Sequence, residues 1–226
     1  MSSLSSTFVI IIFECNMIKY PSFLEDSFSK GYSIIEEGIT YSFQCQEMGN
    51  INIHSGKILT CDPLNTEEVD AFVNLFPLGS FPVELSIADI ETDERIAFAR
   101  IKFSEEKPVR WEFALLEDQR MEDLQEGEIF GYAVDSGLGC FMDLSALDAY
   151  EFYAQKNKEY HEEIFDQMDE VYKDTRTWYL WKSKEETIAI FTTGYGDDVY
   201  QSYVGFDNEG RICRLVTDFN LLEWNK

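Results

Sequence analysis

The residues of this chain whose types and surroundings could support chemistry are carboxylates: Glu112, Asp135, Asp143, Asp197, Asp198 and Asp218. Residues 131–143 read as a strand that delivers Asp135 to the glycine turn Ser136-Gly137-Leu138-Gly139, after which Asp143 opens a helix. Glycines let backbone approach closely, so two carboxylates at this spacing could share a cation or grip a cationic group. The plainer alternative is a tight strand-to-helix connection with Asp143 as an ordinary N-cap. A second segment, Thr193-Gly194-Tyr195-Gly196-Asp197-Asp198, ends a predicted strand. Neighbouring residues of an extended chain point to opposite sides, so at most one of its aspartates enters a given site. Asp218 closes the last strong strand, and Glu112 alternates with Trp111 and Phe113. Glu112 therefore either faces solvent or is a buried acid that needs Arg95, Arg100 or Arg110 as partner. Convergence of Glu112, Asp135, Asp143 and Asp218, with Asp197 as a further ligand, would make a pocket suited to magnesium or calcium. It would equally suit acid-base work with one pKa raised by crowding.

Other chemistries find less material. His54 and His161 are the only histidines, and neither has a companion at ligand spacing. Cys15, Cys45, Cys61, Cys140 and Cys213 are widely spaced with no Cys-x-x-Cys pair, which disfavours a zinc ribbon and reads as reduced, buried thiols of a cytoplasmic protein. The glycine segments lack the lysine and hydroxyl of a P-loop and the oxygen ladder of an EF-hand.

Eighteen Lys and Arg against forty-three Asp and Glu give a formal charge of −25, although 45% of the residues are hydrophobic. A chain this apolar buries a core, so its acidity lies outside, where it repels polyanions and attracts basic partners or cations. Nucleic-acid binding through direct electrostatics is disfavoured, and a basic protein partner is expected. The run Phe8-Val9-Ile10-Ile11-Ile12-Phe13 is too short to span a bilayer and is read as a buried strand, so no membrane association is expected.

The positioning elements follow from periodicity. Residues 81–87 and 95–103 alternate apolar and polar with an Asp93-Glu94 turn between them, and strands are further expected at 109–115, 129–134, 177–181, 187–193, 199–206 and 211–218. Asn208-Glu209-Gly210 supplies a hairpin turn. Asn65-Thr66-Glu67-Glu68 predicts a short helix over 66–76, with Val69, Phe72, Val73 and Phe76 on one face. From Asp143 some thirty residues pass without Gly or Pro and carry an apolar three-and-four spacing, which predicts a long helical insertion over 144–173. The expected architecture is a single α+β domain over 1–226: a mainly antiparallel sheet or barrel with these two helical pieces packed against it.

Taken in order, Gly56-Lys57-Ile58 with Asp62-Pro63-Leu64, Pro77-Leu78-Gly79-Ser80-Phe81-Pro82-Val83, Arg95-Ile96-Ala97, Trp111-Glu112, Gly131-Tyr132 with Asp135-Ser136-Gly137, Gly194-Tyr195-Gly196-Asp197 and Leu215-Val216-Thr217-Asp218-Phe219 resemble a bacterial family known as a domain of unknown function, DUF4241-like. The resemblance covers about residues 56–219 and implies one domain. It carries no catalytic residues over, and residues 1–55 lie outside it. Three functions fit these readings: an acidic intracellular binding protein, most specifically an immunity-type protein neutralising a basic toxin domain; a metal-assisted hydrolase or phosphodiesterase built on the carboxylates; or a structural or assembly protein.

Overall fold

The computed structural model describes residues 20–125 and 128–224, so the strand expected at residues 8–13 and Cys15 lie outside the described residues. After a short helix α1 (Phe23–Asp26) come β1 (Ser33–Glu36), β2 (Ile39–Ile53), β3 (Ile58–Cys61), β4 (Gly79–Ile90), β5 (Asp93–Lys102), β6 (Arg110–Phe113), β7 (Tyr132–Val134) and β8 (Leu138–Asp143). Helices α2 (Leu144–Lys156) and α3 (Tyr160–Asp169) precede β9 (Trp178–Ser183), β10 (Glu186–Thr192), β11 (Asp198–Phe206) and β12 (Ile212–Asp218).

All the strand pairings are antiparallel and form two sheets. The larger has the order β1-β2-β4-β5-β12-β11-β6, with β7 also on β11, and curls into a half-barrel. The smaller has the order β3-β8-β10-β9. It is a middle layer, which explains why its strands read as continuous apolar runs. Phe141, Ala189 and Phe191 face the large sheet, while Cys140, Met142, Ile188 and Ile190 face α2 and α3. The outer layer closes over Ala146, Tyr150, Ile164 and Met168, with the Tyr150 ring edge-on to Trp181 at 5.3 Å.

The α+β expectation is overturned: strands take up 44% of the chain against 15% for helix, and the helices are short. The single insertion over 144–173 is two helices because Asn157 leaves the helical region at φ −108°, ψ 97°. Its side-chain Oδ1 then accepts from the Glu159 backbone N–H at 3.2 Å and starts α3. The short helix over 66–76 is irregular chain instead. Its amides donate to strand and loop carbonyls, Phe72 to Ile58, Val73 to Leu115 and Phe76 to Gly56, each at 2.9 Å, so tertiary bonds replace the helical ladder. Glu68 in that segment also sits at φ 57°. The turn between β4 and β5 is Glu91-Thr92, and Asp93 and Glu94 already belong to β5.

Candidate functional site

The expected carboxylate centre does not assemble. Asp143 is fully buried and its carboxylate is consumed locally: Oδ1 accepts from the Ser145 N–H at 3.0 Å as the N-cap of α2, and Oδ2 accepts the Ser55 hydroxyl at 2.9 Å. Asp218 is buried under the end of β12, accepting from Asn220 N–H at 2.9 Å and Trp224 Nε1–H at 2.7 Å. Burial outweighs these two donors and lifts its pKa to about 6. Glu112 is exposed on edge strand β6 and pairs with Arg110. Pairing of Val134 with Asp198 brings the exposed Asp135 and Asp197 to one end of the β7–β11 ladder. Among the described residues no group of three or more His, Cys, Asp or Glu side chains is placed to hold a metal ion.

A different place gathers the chain. Strand β11 changes partner along one edge: β6 pairs with Tyr203 to Phe206 and β7 with Asp198 to Tyr200. Between them a single bond, Ala114 N–H to Ser202 carbonyl at 2.9 Å, holds the connecting chain. The break opens a cleft of about 290 Å³ over Tyr200 and Ser202. Thr60, Cys61 and Asp62 at the end of β3 form one wall, and Ala114, Leu116 and Gln119 form another. Phe130, Gly131 and Tyr132 lead into β7, and the loop carrying Asn65, Glu67, Glu68, Val69, Asp70 and Phe72 completes the mouth. Glycine is required at 131, where a Cβ would stand 2.5 Å from the Tyr200 carbonyl oxygen and push β7 away.

The lining holds four carboxylates and, among the described residues, no Lys, Arg or His. Asp62 is buried and committed to the fold. Its oxygens accept from the backbone N–H groups of Leu64, Asp135 and Ser136 at 2.9 to 3.0 Å and from the Ser136 hydroxyl at 2.7 Å, tying β3 to the β7–β8 turn. Glu67, Glu68 and Asp70 are exposed at the mouth and make no hydrogen bond or ion pair among the described residues. On the floor, Thr60 is 7% exposed as a residue, and its hydroxyl makes no hydrogen bond among the described residues. Thr60 alternates with Leu59 and Cys61, which face the helices, so it faces the large sheet and the cleft.

Sequence reasoning passed over Asp62, Thr60 and the mouth carboxylates. Asp62-Pro63 directly after a buried strand was the available signal for the first, since aspartate there bonds backbone two residues on. The cysteines divide: Cys61, Cys140 and Cys213 are buried, whereas Cys45 is exposed, against the expectation of burial for all. Cys61 and Cys140 lie opposite each other on β3 and β8 with sulfurs 3.5 Å apart, and this contact together with burial holds the Cys61 thiol well above its usual pKa. No helix among the described residues is long and apolar enough to cross a membrane. No curated protein and no solved structure matches this chain. Residues 51–217, spanning β3 to β12 and every wall of the cleft, match the family described as "Protein of unknown function (DUF4241)", and the chain belongs to that family.

Proposed function

We propose that this protein is an acidic, cytoplasmic binding protein whose partner is a basic protein, of the immunity type that neutralises a basic toxin domain. The carrying observation is the way its charge is distributed. Of the described carboxylates only Asp62, Asp143, Asp207 and Asp218 are buried, while the buried cations Arg100, Arg176 and Arg214 are all spent on internal acids. The surface is therefore left with acid in excess, and the cleft mouth concentrates that excess without a counter-charge. Long-range attraction of this kind speeds encounter and selects against acidic competitors. Val73, Leu75 and Leu78, in the chain that follows Phe72, are exposed at 47%, 71% and 66%, which supplies apolar contact area in addition to the charged contacts.

The test is affinity capture from the native host at low and moderate salt, using the wild type beside a charge-reduced variant, followed by reconstitution with the purified captured protein. One basic protein that binds the wild type, and is lost on added salt and on charge reduction, supports the reading. An acidic or neutral partner that is insensitive to both would sink it.

A further inference from the structure

We infer that the cleft over Tyr200 and Ser202 is the seat for a single arginine side chain presented by the partner, a proposal that rests on the basic-partner reading and gives it an address. Two independent observations point to a cationic donor. The mouth carries Glu67, Glu68 and Asp70 with no cation to neutralise them, and the floor carries Thr60, a residue more than nine-tenths buried whose hydroxyl makes no hydrogen bond among the described residues and stays reachable from the cleft. An incoming N–H donor can bond that hydroxyl in place of water.

Size and lining choose among cations. About 290 Å³ lies at the low end for small-molecule sites and suits one extended side chain. Phe72, Tyr132 and Tyr200 line the cleft, and aromatic faces favour a planar, weakly hydrated guanidinium over an ammonium. Five N–H donors in a fixed fork can reach several acceptors at once, whereas lysine offers three from one point. A bare divalent ion is a poorer match, because the mouth carboxylates are exposed and no group of three or more ligands is assembled among the described residues.

The experiment is an NMR titration of the ¹⁵N-labelled protein with the tripeptide acetyl-Gly-Arg-Gly-amide and with its lysine counterpart at low salt. The wild type is compared with Thr60→Val and with the triple variant Glu67→Gln/Glu68→Gln/Asp70→Asn, each first shown to melt as the wild type does. Saturable shifts at Thr60, Ala114 and Tyr200, several-fold tighter for arginine than for lysine, are expected. The triple variant should bind about tenfold more weakly or worse, and Thr60→Val about threefold to tenfold more weakly, the net loss of one hydrogen bond at a solvent-reachable hydroxyl. Shifts that bypass these residues, or equal affinity in the triple variant, overturn the seat. The captured partner separates the two readings: if it holds equally well to the wild type and the triple variant, the arginine seat falls and the basic-partner reading stands. If the wild type binds no basic protein at all, that reading falls by itself.

Discussion

Two clusters of charge in this protein have opposite fates. Beneath α1, Glu25 accepts from Arg100 Nη1 at 2.8 Å and from Arg214 Nε and Nη2 at 3.1 Å, while Arg100 Nε donates to Glu84 at 2.6 Å. Arg100 also lies over the Phe28 ring, 4.0 Å from its centroid. Every charge there is matched and three strands plus a helix are pinned by it. At the cleft the acids outnumber the cations entirely, and three of the four do nothing for the fold. Buried charge must be paired to be tolerated, so the first cluster is structural; exposed charge carries no such requirement, so the second is available for binding.

The sharpest way to break this contrast is Glu25→Ala, which leaves Arg214 in the interior without a carboxylate and Arg100 with Glu84 alone. Removing one partner of a buried ion pair costs about 3 to 5 kcal/mol, and urea denaturation should read a loss of that size. Within the cleft itself, Asp62→Ala removes the acceptor for three backbone N–H groups and one hydroxyl, and a loss of about 3 kcal/mol is expected in the same assay. That result would set Asp62 with the structural cluster even though it lines the cleft.

Asp218 sharpens the comparison through pH. Its folded pKa of about 6 lies above its ordinary value of 3.8, so the folded state holds the proton more tightly than the unfolded chain. The associated stability is present below pH 4 and is lost as pH rises to about 6, an effect of about 2 to 3 kcal/mol. The difference between wild type and Asp218→Asn, followed by denaturation across pH 4 to 7, should trace that loss; a flat difference would refute it. The smallest expected effect is on the mouth. Glu67→Gln/Glu68→Gln/Asp70→Asn should leave stability within about 0.5 kcal/mol of the wild type, since exposed carboxylates without partners contribute little. A large loss would mean that these acids are structural after all.

How much of this was readable beforehand differs by element. The hairpin of β4 and β5 was visible in the alternation of residues 81–87 and 95–103, because period two survives wherever side chains alternate between two environments. What alternation concealed is that Ile96 through Ile101 is buried on both faces, so Arg100 points into the protein. The apolar spacing of residues 66–76 is compatible with a helix, and only the carbonyls offered by Ile58, Leu115 and Gly56 decide otherwise. The cleft was invisible for a related reason. Its walls come from β3, the following loop, the chain between β6 and β7, and β11, segments that share nothing in sequence except the register of β11. Of the carboxylates that stood out, Asp143 caps α2 and Asp218 accepts from the Asn220 N–H, local duties to which aspartate is suited, while Asp135 and Asp197 stay exposed.

The strand order has a bearing on how the protein is made. The last strand, β12, lies between β5 and β11 in the middle of the large sheet. During synthesis the hairpin of β4 and β5 leaves the ribosome with the edge of Phe98 to Lys102 bare, and it stays bare until Arg214–Asp218 has been translated. The nascent chain thus presents an open, aggregation-prone edge while residues 103–213 are translated. A chain truncated before Cys213 would lack the strand that joins β5 to β11, and its large sheet would be left in two separate pieces.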